Sequence, residues 1–370
     1  TGNRLLAGWN GTQPSDYNAR ASLYPVVKGL EMDWHTRPER AKEITGQFER
    51  MILHGDVANS LSSTALVTNA YLYTGDNNYK EWVLEYVEAW IDRMKRNDGI
   101  MPDNIGPRGV IGEQREGQWW GGLYGWNSPW SASLMFHALT IAAECALLLT
   151  GDFGYLDLIR SQVEMLMRHA TRRDDGQLLV PTRYGPQGWQ EFVPGAVRFP
   201  EQIYHASMGK RDYDLLVWLR DGERDLDWNS VTSTATKGNR NSEARFQYYD
   251  GKNPDWPEKI LQAEHQVISA MTEAINRDHR DPEAIIADNE LPPTPVVTKG
   301  LTQVTMGAPQ NIYHGGLNRA TLRYFDTDRS RPGLPKDVSA LVDRLDSSGA
   351  GVQLVNLSRR EPRNLIIQAG

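Results

Sequence analysis

With one cysteine, Cys145, in 370 residues, the chain has no intrachain disulfide framework and no cysteine-built metal cluster. Cys145 lies in the apolar run Thr140-Ile-Ala-Ala-Glu-Cys-Ala-Leu-Leu-Leu, where it reads as a small buried hydrophobe rather than a catalytic thiol. Long hydrophobic runs are also missing. No stretch reaches the roughly 18 uninterrupted apolar residues expected of a transmembrane helix, so no membrane partner is expected. Charge of one sign is scarce as well. The net charge of −7 is spread along the chain without a long acidic or basic block, which argues against nucleic acid and against a polybasic membrane contact. There is no phosphate loop, no dinucleotide fingerprint and no H-E-x-x-H helix, and no metal or other cofactor is expected. Phenylalanine is sparse at seven, whereas tryptophan reaches 12 and tyrosine 15. Trp and Tyr join a flat apolar face to a polar edge, and this excess over Phe points to a groove for an amphipathic ligand such as a sugar. The sequence starts Thr1-Gly2-Asn3 without an initiator Met. That suits a mature exported form, and a secreted or periplasmic location is the expectation.

What is present is organised as repeats. Helical spacing runs through residues 37–95: Ile44, Phe48, Met51 and Ile52 first, then Leu61 to Tyr73, then Tyr79 to Met94. Thr74-Gly75-Asp76 separates the second helix from the third, and Thr150-Gly151-Asp152 recurs 76 residues later. Each subsequent helix leads to an Asp-Gly turn, Asp98-Gly99 and Asp175-Gly176, 77 residues apart. This is an internal repeat of a helix hairpin plus a long loop. A degenerate copy is expected from His205 through Trp218, and a further helix from Trp256 to Ile275. The fold expected is mainly α: an (α/α)n toroid over residues 1–280, with an open helical solenoid as the competing form. A Pro/Thr-rich linker or surface segment comes next at 281–310. Residues 311–370 end in β-strands at Val352 to Leu357 and Asn364 to Gln368.

The segment Asp98 to Trp130 is glycine-rich, holds three prolines and carries Trp119, Trp120, Tyr124, Trp126 and Trp130. It is neither helix nor regular strand. Aromatics in an irregular loop read either as sugar-stacking platforms or as the small core of the loop itself. Gly121, Gly122 and Gly125 would let a ligand approach the backbone. Polar groups converge with the rings: Asp103, Asn104, Arg108, Glu113, Gln114, Arg115 and Glu116. A second aromatic loop carries Tyr184, Trp189 and Gln190, and Tyr204 and Trp34 complete the expected substrate-binding set with Arg115.

The pattern Asp98-Gly99…Trp119-Trp120-Gly121-Gly122-Leu-Tyr124-Gly125 resembles the D-G-x-F…Y-x-G-x-Y-G segment of toroid polysaccharide lyases acting on uronate-containing chains. The resemblance implies an acidic glycan as substrate and β-elimination as the reaction. Such lyases place a histidine soon after the Asp-Gly turn, where this chain has Asp103-Asn104. Elimination needs a group that neutralises the uronate carboxylate, a base for the C5 proton and an acid for the leaving oxygen. Asn104 is the candidate for the first role and Tyr124 for the last, or for base and acid together, with Asp103 beside them. The histidine is sought in His205, His35 or His137, while His54 and His169 read as helix-end residues and His314 either lines the groove or belongs to the β-element. The alternative chemistry is glycoside hydrolysis by a carboxyl pair, drawn from Asp33, Asp56, Asp103, Glu113, Glu191 and Glu201. A non-catalytic glycan-binding protein is the third reading. The sequence leaves oligomeric state open.

Overall fold

The structure is a computed structural model that describes residues 36–43, 55–122, 124–127, 132–194, 198–231, 242–287, 295–309, 315–317 and 319–370. The chain divides into two units. The first comprises Thr1–Ala206, Asp221–Asp225 and Ile312–Leu317; the second comprises Ser207–Arg220, Leu226–Asn311 and Asn318–Gly370.

The first unit is built on two helix hairpins, α1 (Thr64–Thr74) with α2 (Asn77–Arg96) and α3 (Ser133–Thr150) with α4 (Asp157–Arg168). The Thr-Gly-Asp units make their turns in the same way. Thr74 and Thr150 donate their hydroxyls to the carbonyls of Ala70 and Ala146, both at 2.7 Å. Gly75 and Gly151 then take φ of 69° and 74°, the left-handed C-cap that glycine adopts without a Cβ penalty. Asp76 and Asp152 accept the N–H groups of Asn78 and Gly154 at 3.0 and 2.8 Å, each capping the next helical turn. α2 buries Val83, Val87, Trp90 and Met94, a single helical stripe. α3 is buried on nearly every side, Cys145 included. It is the one described helix long and apolar enough to cross a membrane, and 78% of it is covered by protein, as befits a core helix. Burial pushes the Cys145 thiol up to about 11, which keeps it protonated and unreactive near neutral pH.

Two small sheets join the helices. β1 (Asp56–Val57) pairs antiparallel with β2 (Asn104–Ile105). β3 (Thr171–Arg172), β4 (Leu178–Gly185) and β5 (Gly188–Pro194) form an antiparallel meander. α5 (Arg198–Ser207) comes after the meander and packs Phe199 against Phe136 and His137 of α3.

The second unit has its own cores. α7 (Ser242–Tyr249), α8 (Trp256–Arg277) and α10 (Lys299–Met306) bury Ala244, Trp256, Ile260 and Val304 together. Ahead of them lies α6 (Lys210–Asp221), and between α8 and α10 the short α9 (Pro282–Ala287). Five strands complete the unit: β6 (Leu322–Asp326), β7 (Arg331–Pro332), β8 (Val338–Asp346), β9 (Gly349–Asn356) and β10 (Leu365–Ala369). They form a β10-β6-β7 sheet and a β8-β9 hairpin, with Leu322, Tyr324, Ala340 and Val342 in their core. Asp250 ties the helices by accepting from Tyr213 and Arg220 of α6 and from Lys252.

The expectation of a mainly-α toroid is corrected. The described residues are 48% helix and 18% strand, spread over several small sheets, and show no toroid. The physical reason is visible at Leu178–Pro194, read from sequence as a loop between helices. Gly185 and Gly188 close a two-residue turn around Pro186-Gln187, and the flanking residues pair as strands. The C-terminal strands are present at β9 and β10. The segment expected to link domains instead contributes α10, whose Val304 lies in the second unit's core. Pro292 and Pro293, like Ile44, Phe48, Met51 and Ile52, lie outside the described residues.

Candidate functional site

The irregular segment after α2 is organised around one buried carboxylate. Asp103 is 1% exposed. Its Oδ2 accepts the backbone N–H groups of Gly121 and Trp126 at 2.9 and 2.8 Å, and its Oδ1 accepts Gly122 N–H at 2.7 Å and the Asn104 amide at 3.0 Å. Burial raises the Asp103 pKa, opposed by the Asn104 and backbone donors and by the charge of Arg115. The glycines serve this carboxylate. A Cβ on Gly125 would lie 2.0 Å from Asp103 Oδ2, and one on Gly122 2.3 Å from the Asp103 carbonyl oxygen. The close approach expected of a ligand at these two glycines is made by Asp103.

The pinned loop lies along the edge of β4. Tyr184 donates its N–H to the Trp126 carbonyl at 3.0 Å, and Ala132 donates to the Thr182 carbonyl at 3.1 Å. One face of the β4–β5 hairpin thereby meets the loop aromatics. Ring centroids of Trp119 and Tyr184 are 4.7 Å apart, Tyr184 and Trp189 4.9 Å, and Trp120 and Tyr184 6.1 Å. Trp126 closes the cluster from beneath, 5.3 Å from Trp189, fully buried, with its indole N–H donated to the Met101 carbonyl at 2.7 Å. Trp126 is therefore the base of the cluster, and Trp119, Trp120, Tyr184 and Trp189 are its half-buried upper layer.

A histidine does join these rings, and it is His169. It caps the end of α4, is exposed, and stands 5.1 Å from Trp189 with ring planes 33° apart. Sequence reasoning read it as a helix-end residue. The available signal was its place two residues before the strand that opens the β3–β5 meander. His205 and Tyr204 lie on α5, His205 buried and Tyr204 half-buried. His137 is buried in α3 against Phe199.

The remaining candidates separate. Asn104 donates its amide to Asp103 and to the Gln118 carbonyl, so that amide positions the loop. Arg115 is buried and feels the Asp103 charge. Gln190 pairs with Arg183 across the hairpin, whereas Trp189 pairs with Tyr184; side-chain alternation puts Gln190 on the face opposite the rings. On that face Arg183 holds Glu191 at 2.6 Å and Asn127 at 3.0 Å, with Glu191 at a φ of 53°. Glu113 is anchored by Arg108 at 2.7 Å, which lowers its pKa. Glu201 is buried on α5. Tyr124 is half-buried between Gly122 and Gly125, with φ at 56°, a conformation costly for a side chain of its size. Trp34, His35 and Trp130 of the expected site, and Asp33, His54 and His314, lie outside the described residues.

A family model described as a domain of unknown function, DUF8034, matches residues 11–179 and 172–302. No curated protein and no solved structure matches the chain.

Proposed function

We propose that this chain, which belongs to the DUF8034 family, is a carbohydrate-active protein that stacks saccharide rings on the platform of Trp119, Trp120, Tyr184 and Trp189. The observation that carries the reading is that four half-buried rings in one contact chain are fixed by a hydrogen-bonded loop and a hairpin edge. Rings held in place by such a scaffold lose little further freedom on binding, which favours stacking on the apolar face of a sugar.

The reaction proposed is β-elimination on a uronate-containing glycan. Tyr124 supplies the phenol that protonates the leaving oxygen, and its strained backbone accords with a residue positioned for work other than packing. His169 takes the place of the expected histidine as the base, because it is the imidazole in contact with the platform. In the step, the base removes the C5 proton, the C4–O bond breaks as the C4–C5 double bond forms, and Tyr124 passes its proton to the departing oxygen.

A panel of acidic polysaccharides incubated with the protein and read by ultraviolet absorbance tests this. The expected result is rising absorbance from the unsaturated uronate, reduced at least tenfold by His169→Ala and by Tyr124→Phe. Cleavage without absorbance would assign hydrolysis instead, and binding without cleavage would leave a glycan-binding protein.

A further inference from the structure

A cavity lies within the first unit, on the outer face of α2. Trp82, Tyr86, Ala89 and Arg93 recur at helical spacing along that face, and the Ile105–Gly109 stretch forms the opposite wall. The cavity measures about 270 Å³ and is also lined by Asp56, Glu85 and Arg108. At its floor Asp56 is 1% exposed. Oδ1 of Asp56 accepts the Val57 N–H at 2.8 Å, and Oδ2 accepts the Tyr86 hydroxyl at 2.6 Å. A carboxylate offers about four acceptor positions, so with the Ser60 side chain also bonded to it one position remains for a ligand hydroxyl. Arg93, which lines the cavity, donates its Nε to the Gly109 carbonyl at 3.4 Å. Trp82 stacks on Tyr86 with centroids 5.1 Å apart and planes 26° apart, giving the wall a fixed aromatic surface.

Two features narrow the ligand. The volume is just under the roughly 300–1,000 Å³ of ordinary small-molecule sites, which suits a single ring. The lining carries both signs, Asp56 and Glu85 against Arg93, with Arg108 held by Glu113 at 2.7 Å. An anion would meet Asp56 and Glu85, and a cation would meet Arg93. A neutral polyhydroxylated ring meets neither penalty: its hydroxyls can donate to Asp56 and accept from Arg93, while its apolar face covers Trp82.

We infer that this cavity is a binding site for a single neutral pyranose, separate from the aromatic platform. The inference stands on the cavity alone and does not require that the platform bind glycan. The sequence offered Asp56 as one of several candidate carboxylates but not its pairing with α2, since Tyr86, its partner, lies 30 residues away.

The test is calorimetric titration of the intact chain with glucose, galactose and mannose, with glucuronate and methylguanidinium as charged controls. At least one neutral hexose should bind, with no binding of either charged control. Asp56→Asn should weaken that binding at least tenfold, and so should Trp82→Ala, a change at a half-buried site that tolerates loss of the ring even if the Asp56 variant fails to fold. Asp175→Asn, outside both the cavity and the platform, should leave it within twofold. Absence of binding by all three hexoses, preference for glucuronate, or loss of binding on Tyr184→Ala with none on Trp82→Ala would overturn the inference. Hexose binding that survives in a protein inactive on every polysaccharide would uphold it while the proposed function failed.

Discussion

Oδ2 of Asp103 accepts the backbone N–H of Trp126 at 2.8 Å across 23 residues of chain. With its partners at Gly121 and Gly122, this bond converts a glycine-rich segment with little intrinsic order into a fixed base for the aromatic cluster. Replacing the carboxylate leaves several buried N–H groups without an acceptor. Asp103→Ala should destabilise the first unit by on the order of 3 kcal/mol, the range for lost bonds to a buried charged group. Urea denaturation monitored by tryptophan fluorescence would read it. A change below about 1 kcal/mol would mean that the loop is held by other contacts.

The glycines make a sharper comparison. Gly125→Ala would drive a Cβ to within 2.0 Å of Asp103 Oδ2, so the loop must shift, at a cost of roughly 1–3 kcal/mol for an overpacked interior. Gly99 has φ of 77° but open space around it, and Gly99→Ala should cost only about 1 kcal/mol, the conformational penalty alone. Paired thermal melts check the order. Equal shifts would remove the close approach as an explanation.

Asp175, in the Asp-Gly turn of the second repeat, is hydrogen-bonded by Arg173 and by the Gln177 N–H, and its pKa is lowered from 3.8 to about 2. A depressed carboxyl contributes stability above its unfolded pKa and loses it as pH falls through the folded one. The contribution is therefore complete above about pH 4 and disappears toward pH 2. Asp175→Asn should flatten the stability–pH curve in that window, lying below the wild type above about pH 4 and converging with it toward pH 2. Carbon-detected NMR titration of the Asp175 carboxyl would show a midpoint below 3 if the account holds and near 3.8 if it does not.

Tyr124 carries a φ of 56°, and a left-handed backbone costs a non-glycine residue about 1–2 kcal/mol. Tyr124→Gly should leave the protein at least as stable while abolishing turnover of any glycan substrate. Differential scanning calorimetry beside an activity assay separates the two effects. A loss of stability would show that the phenol is a packing residue first.

The local grammar of the chain was legible and its assembly was not. Thr74-Gly75-Asp76 and Thr150-Gly151-Asp152 state their caps in sequence, because each step is satisfied within a few residues. Asp103 could be seen to sit among glycines, but the tenant of the space those glycines leave is fixed by contacts 18 to 23 residues away. His169 was passed over for the same reason, since its helix-end position is local and its contact with Trp189 depends on the β4–β5 hairpin. That hairpin also undid the expected ring of helices. Gly185-Pro186-Gln187-Gly188 reads as a turn, but the flanking residues lack the clean apolar–polar alternation that would have marked them as strands. Alternation across it then parted Gln190 from Trp189, two neighbours that sequence had grouped in one site.

The central claim is that Trp119, Trp120, Tyr184 and Trp189 form a saccharide platform, and its most direct test is binding to that surface. Titrating acidic oligosaccharides into the protein while following intrinsic tryptophan fluorescence should give a saturable change. Tyr184→Ala and Trp189→Ala, each removing a ring from the contact chain, should each weaken binding by about 1–2 kcal/mol, or roughly tenfold, with the fold preserved by circular dichroism. Binding unchanged in both folded variants, or no saturable change for any oligosaccharide with the wild type, would contradict the account and leave the aromatic cluster as the loop's own core.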